Sequence, residues 1–288
     1  NLSQITAVIG SAAVAVAATG ASAVAVSIAV GVSINSIDAD TTARITGFSA
    51  ITGLVARSGG IDVRARTDDG AGKRLKIDAV AVAASVAIAA SGATGIAIAG
   101  GGAVATNSVT GDTLAAISAI TDGRAASVSV VALNKTEINA TVVVVAAGVG
   151  ASAGGGAGAA ALGGILLSNT VGKRDAQNTV SALVRNATLR VTGAMQVTAT
   201  NDARITAVGA AVSAAVAVSS DVAGALSGAG AIIFNTVSVR TSAVVERTAT
   251  SSDDMLRVGS LAVSATDTSD VRAVAVGAAV AVAVGAGG

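Results

Sequence analysis

Histidine, cysteine, proline, tryptophan and tyrosine are all absent from this chain of 288 residues. Without cysteine there is no disulfide framework and no thiolate ligand or nucleophile. Without histidine the Ser-His triads and the common zinc sites go too. Aromatics are 1% of the chain, two Phe in all, and the 18 basic residues nearly balance 17 acidic ones for a net charge of +1. Nucleic-acid binders need a basic stripe and usually stacking rings, so no nucleic-acid partner is expected. The near balance also leaves little repulsion between copies, which favours association.

Residues 1–37, 79–111 and 138–172 carry no charge, and each stretch is long enough to span a bilayer. They nevertheless interleave β-branched Val with Ala, Gly and Ser at period two, are poor in Leu and Phe, and lack the Trp and Tyr belts of membrane helices. The aromatic girdles of a membrane barrel are missing as well. The chain is therefore expected not to span a membrane. Ala alone favours helix, but its partners here lower helix propensity and no stripe of period 3.6 appears.

What is present is small and aliphatic. Hydrophobic residues make up 52% of the sequence, nearly all Ala and Val with some Ile and Leu, and there are 35 glycines. Such side chains fill little volume, so opposing backbones must come close, as in stacked sheets.

The order of these residues recurs. Ile5-Thr6-Ala7-Val8 returns as Ile77-Asp78-Ala79-Val80, Ile138-Asn139-Ala140-Thr141, Ile205-Thr206-Ala207-Val208 and Val271-Arg272-Ala273-Val274, at spacings of 72, 61, 67 and 66. A second marker, the Asn of Asn35-Ser36, Asn107-Ser108, Asn169-Thr170 and Asn235-Thr236, keeps the same beat at 72, 62 and 66. A third lies in the strand that closes each unit, where Val63, Val130, Val197 and Val263 fall 67, 67 and 66 apart. The units are 1–74, 75–136, 137–203 and 204–270, with a partial fifth at 271–288, in one continuous array that is expected to be a portion of a longer one. Each has an apolar half and a polar half, since every charge but Asp221 lies in 38–78, 112–137, 173–204 or 240–272. In the apolar half both faces of the strands are apolar, so they are either buried on both sides or stand against something else.

The fold expected is all-β: a parallel β-solenoid, or β-helix, rich in Ala, Val and Gly and built from about four sequence repeats of roughly 67 residues. Two geometries remain open. With coils of roughly 20 to 24 residues a unit makes three coils and the rod is roughly 60 Å long; with one large layer per unit, the apolar half wrapped inside the polar half, it is about 20 Å. In the closing strand 61–69 of the first unit, Ile61, Val63 and Ala65 are the inward candidates, with Asp62, Arg64 and Arg66 facing water.

The unit resembles the repeats of very large secreted bacterial surface proteins, the filamentous-haemagglutinin and leukotoxin-like adhesin group. The residues that carry the likeness are Asn169-Thr170-Val171 with Val197-Thr198-Ala199-Thr200-Asn201-Asp202, and Asn235-Thr236-Val237 with Val263-Ser264-Ala265-Thr266-Asp267. The resemblance implies an exported, elongated β-solenoid stalk or adhesin, extracellular or at the cell surface.

No constellation for chemistry emerges. Asp62, Asp68, Asp69 and Asp78 are close in sequence, but Asp68-Asp69-Gly70 reads as a turn, and acid/base work is the lesser alternative. The glycine-aspartate nonapeptide of calcium-binding solenoids is missing, and Asp38, Asp40, Asp253 and Asp254 read as surface charge. Residues 150–160 are glycine-rich but lack the Lys-Ser/Thr ending of a phosphate loop. The sequons at Asn134, Asn139 and Asn186 are of the kind that arise by chance. No enzyme activity, cofactor or metal is expected. Asn35, Asn107, Asn169 and Asn235, with Val63, Val130, Val197 and Val263, are expected to be structural, the asparagines either linked in an amide ladder or capping a turn. Function then divides between a self-associating segment of a fibre, stalk or matrix and an adhesin stalk. The latter would bind glycans or cell surfaces through polar loops at 41–60, which hold Phe48, and 112–124. Far-ultraviolet circular dichroism of the chain should be dominated by β-structure; a helical spectrum would overturn the fold class.

Overall fold

Alternating Ala and Val supplies β-branched side chains that fit a pleated surface and few polar groups to compete for the backbone. The computed structural model describes residues 3–48, 54–173, 177–246 and 256–286, and among them strands dominate and no helix occurs. The strands are β1 (Gln4–Thr19), β2 (Ser22–Asp38), β3 (Thr41–Phe48), β4 (Leu54–Arg66), β5 (Leu75–Ser91), β6 (Thr94–Thr110) and β7 (Thr113–Ser152). They continue as β8 (Gly156–Val171), β9 (Asn178–Ser219), β10 (Val222–Val237), β11 (Val239–Glu246), β12 (Arg257–Asp267) and β13 (Asp270–Gly285). One sheet runs β1-β5-β7-β9-β11, with β3 and β4 beside β7 and with β12 and β13 beside β9; the other runs β10-β8-β6-β2. No helix among the described residues is long and apolar enough to cross a membrane.

Every pairing is parallel, and its register equals the beat of the sequence. Ile5 pairs with Ile77, Ile77 with Ile138, Ile138 with Ile205 and Ile205 with Val271. In the second sheet Asn35 pairs with Asn107, Asn107 with Asn169 and Asn169 with Asn235. A strand therefore finds its neighbour 61 to 72 residues away, as in Ile77 to Ile138 and Ile5 to Ile77. Coils of 20 to 24 residues would pair at about a third of that separation, so three coils per unit do not form. One passage through the unit is one layer, and the rise from layer to layer is a single strand spacing, about 4.8 Å.

Differences in unit length are taken up at corners, so the ladders stay aligned. Thr67 sits beside Asn134 and Leu75 beside Thr136, so the first unit spends eight residues where the next spends two. The pairing of β4 with β7 likewise shifts between Ala56 and Gly60.

Within a layer the chain runs out along the first sheet, turns, and returns along the second. Residues 20–21 and 92–93 make two of these turns, and the two sheets pack face to face as an arm. Their inner faces are built of Ala, including Ala87, Ala89, Ala97, Ala215 and Ala217, all fully buried. The outer faces carry the larger side chains: Val14 is 71% exposed, Val24 60% and Ile28 66%. The polar half is an ordinary wet sheet folded over a core of Ile117, Val130, Leu189 and Val197, and Ile77, Ile138, Ile205 and Val171 fill the junction with the arm. Ile61, Val63 and Ala65 point into that core; Asp62 and Arg64 are exposed and Arg66 is half-buried. The apolar half is not wrapped inside the polar half. It stands beside it, because its inner faces already satisfy each other and leave no room for a third layer.

The tight inner face gives a test that uses one substitution twice. Ala97→Leu, on the inner face, should lower the unfolding free energy by roughly 1–3 kcal/mol, and Ala84→Leu, on the outer face, by less than about 0.5 kcal/mol. Denaturant midpoints measure both.

Candidate functional surfaces

Three features of the layers have chemistry in them: buried amide ladders, a charged corner and the outer faces of the arm. The marker asparagines lie near the base of the arm on the inner face of the second sheet. Asn35 Nδ2 donates to Asn107 Oδ1, Asn107 Nδ2 to Asn169 Oδ1 and Asn169 Nδ2 to Asn235 Oδ1, each at 2.8 Å. Asn107 and Asn169 are fully buried, and Asn35 Nδ2 also reaches Ser33 Oγ at 3.0 Å. Parallel in-register stacking brings identical amides to hydrogen-bonding distance, so the donors of Asn35, Asn107 and Asn169 each find an acceptor one layer on. Val63, Val130 and Val197 stack in the same way at the core of the polar half, while Val263, in the outermost layer, is 45% exposed.

A second polar ladder lies four residues beyond those valines, and the sequence markers chosen above miss it. Thr67 Oγ1 donates to Asn134 Oδ1 at 3.1 Å, Asn134 Nδ2 to Asn201 Oδ1 at 2.8 Å and Asn201 Nδ2 to Asp267 Oδ2 at 3.1 Å. Its residue type changes along the stack, from Thr through Asn to Asp, so it has no constant letter to follow; aligning the closing strands is the signal that finds it.

The charged corner is where the polar half joins the arm. Lys76, Glu137, Arg204 and Asp270 pair in successive strands, so the sign alternates up the sheet. Lys76 Nζ lies 3.1 Å from Asp78 Oδ2 and 3.5 Å from Glu137 Oε1, and these contacts raise its pKa. Arg74, almost buried, binds Asp202 through Nη2 to Oδ2 and donates from Nη1 to the Asp202 carbonyl at 3.0 Å. The side chain of Asp68 is wholly buried, with Arg66 Nε at 2.8 Å and Lys135 Nζ at 3.0 Å. Burial pushes the Asp68 carboxyl up, but the hydrogen bonds and charges of Arg66 and Lys135 outweigh it and the net shift is downward. Asp202 follows suit, with Arg74 opposing the effect of burial.

The remaining sequence candidates are dispersed. Asp62 pairs with Arg64, and Asp69 accepts from the Ala71 and Lys73 amides in the turn. Asp40 Oδ1 accepts from the Asp112 amide at 2.8 Å. Asp253 and Asp254 lie outside the described residues, as do 49–53 of the first polar loop; Phe48 pairs with Ile120 at the end of β3. Among the described residues no three Asp, Glu, His or Cys side chains gather as a metal site would require. Of the sequon asparagines, Asn134 is buried in the second ladder, Asn139 donates to Glu137 and Asp78, and Asn186 is exposed with a positive φ. A depression of about 570 Å³ at the tip of the polar half is lined by Val55, Asp122, Arg124, Ala125, Arg190 and Thr192.

The outer faces of the arm are the largest feature. On the first sheet Val8, Val16, Val145, Val212 and Val280 are all at least 40% exposed, and on the second Val26, Val30, Leu162, Leu226 and Ile232 are more than half exposed. In comparisons with protein-family models, curated proteins and solved structures, nothing matches this chain.

Two tests follow from the buried polar groups. Asn107→Ala strands two amide partners and should destabilise by about 1–3 kcal/mol for each group left unsatisfied; Asn235→Ala, which touches Asn169 alone, should lose about half as much, both read by chemical denaturation. For pH the sign is set by carboxyls that titrate lower folded than unfolded. Their stabilisation is complete above the ordinary Asp value, about 3.9, and is lost as pH falls through the lower folded values. Asp68→Asn should therefore flatten the acid side of a plot of melting temperature against pH.

Proposed function

We propose that this chain is a segment of an extracellular structural protein, a parallel β-solenoid that self-associates through its apolar arm to build a fibre, stalk or matrix. The observation that carries this reading is the inversion of size across most of the arm, with chiefly Ala inside and exposed Val, Ile and Leu outside. An apolar surface of that extent on a lone soluble chain is an interaction site or a liability. The two sheets present it at every layer, as an assembly element would. Placement outside the cell follows from the resemblance to secreted surface-protein repeats and agrees with a chain free of reactive thiols.

A second reading, an adhesin stalk, draws on the depression between Asp122, Arg124 and Arg190, where polar side chains converge beside an exposed Val55. In the self-association reading, sedimentation should show mass rising with concentration and electron microscopy should show filaments or lateral bundles. A stable monomer at high concentration, with glycan binding lost on Arg124→Ala and Arg190→Ala, would transfer the assignment to the second reading.

A further inference from the structure

We infer that two copies of this chain pair back to back through the outer face of the β2-β6-β8-β10 sheet, related by a two-fold axis that runs along the stacking direction; this rests on the self-association proposed above. In-register pairing lines up Gly102, Gly164 and Gly230 as one column of that face, and two residues further along each strand Val104, Leu166 and Ile232 form the next. The first column is a hollow and the second a ridge. They lie side by side through three layers.

The chain's own packing does not call for the hollow. Gly101, on the inner face, has no room for a side chain, since an added Cβ would lie 2.7 Å from Val144. Gly102, Gly164 and Gly230 face outward, with nothing within 4 Å of such a Cβ and no positive φ to demand glycine. Glycine in a strand interior is destabilising by roughly 0.5–1 kcal/mol relative to alanine, and it marks places where another group approaches closely. Nothing in the chain itself approaches these three. On the outer face of the first sheet, by contrast, Gly10 is the single glycine among the described strand residues of the arm.

A ridge beside a hollow is complementary to itself under one operation. A two-fold axis placed over the column between them, the inward-facing Ala103, Ile165 and Ala231, reverses strand direction and keeps every layer at its own height. Each ridge residue then meets the partner's hollow in the same layer: Val104 on Gly102, Leu166 on Gly164 and Ile232 on Gly230. The next columns out also set large on small. Thr106 meets Gly100, Leu162 meets Ser168, and Phe234, 59% exposed, meets Gly228 and the Leu162 that leans toward it. Aromatic side chains seated in this way are the usual anchors of an interface. Ser108, Thr170 and Thr236 follow as a polar rim. Only the first layer opposes bulk to bulk, Val30 to Val32 and Ile28 to Ile34, so the copies come closest over the three later layers. The face from position 26 to position 36 of β2 is ten residues, about 33 Å, and four strands make it about 19 Å wide. That is roughly 600 Å² on each partner and roughly 1,200 Å² in all, the lower end of stable interfaces.

The absence of cysteine makes a clean test possible. Leu166→Cys places thiols of the two copies about 7 Å apart along the strands, whereas Gly158→Cys, on the same face, places them about 46 Å apart. With a short bis-maleimide, Leu166→Cys alone should therefore give covalent dimers and Gly158→Cys alone should not. Equal yields from both would overturn this register. Dimers only from a mixture of Leu166→Cys with Val145→Cys, on the first sheet, would mean that unlike faces meet; that overturns the back-to-back pair and leaves self-association standing. No dimers while sedimentation still shows assembly would do the same, and no dimers from a monomer would overturn both. So would flotation of the chain with phosphatidylcholine vesicles in place of assembly, since acyl chains would then be what covers the face. Filling the hollow gives a second readout: Gly164→Val with Gly230→Val keeps the face apolar and should raise the dissociation constant of the pair by about tenfold or more. Ile28→Ala with Val30→Ala, which relieves the first layer, should lower it. A constant unmoved by either pair of changes would overturn the inference.

Discussion

Close approach of two sheets through small side chains is the constraint from which the rest of this structure follows. Where the backbones are nearest there is space for no side chain at all: a Cβ on Gly150 would lie 2.3 Å from the Gly158 carbonyl oxygen, and one on Gly148 2.6 Å from that of Ala160. Around those points Ala is the largest residue that fits along most of the arm, and packing at interior density is reached with a core only a methyl group deep on each side. Each sheet has two faces and a strand alternates between them. Over most of the arm the inner face is reserved for Ala, Gly and Ser and the larger aliphatic residues take the outer face, with Val142, Val144, Ile165 and Leu167 as inward exceptions.

A core of this kind is weak at specifying register. In a strand that reads Ala-Val-Ala-Val, a slip of two residues returns every side chain to an equivalent neighbour on the same face. The polar groups at the base of the arm supply what the apolar repeat lacks. A slip of two would set Asn107 against Leu167 or Val171 instead of Asn169, leaving buried amides unpaired. It would also break the alternation of Lys76, Glu137, Arg204 and Asp270: a slip one way sets Lys76 against Lys135 and Glu137 against Asp202, and a slip the other way sets Lys76 against Asn139 and Arg204 against Arg272. Exposed ion pairs contribute little stability on their own, about 0–1 kcal/mol each. Their value here is in alignment, and the buried Asp68, held by half-buried Arg66 and Lys135, ties the irregular first corner to the layer above it.

Several of these features are legible in the letters. The spacings of Ile5, Ile77, Ile138 and Ile205 are the register itself, because parallel neighbours in one sheet come from the same place in successive units. The inward set of β4 follows from period two and from the charges beside it. Other features are not. Coil length could not be read, since nothing local says whether a strand pairs with the next strand in the unit or with its equivalent a whole unit later. The second ladder changes from Thr67 through Asn134 to Asp267, and Arg74 meets Asp202 across 128 positions, so neither leaves a fixed pattern in sequence.

By itself, then, the sequence determined the secondary structure and the beat: period-two patterning of β-branched and small residues dictates extended strands, and markers some sixty to seventy positions apart dictate which strands are equivalent. Only the tertiary structure decided which face of the arm turns inward. Ala and Val are both apolar, so hydropathy cannot rank the two faces. Steric depth can, and it exists only once two backbones have been brought together.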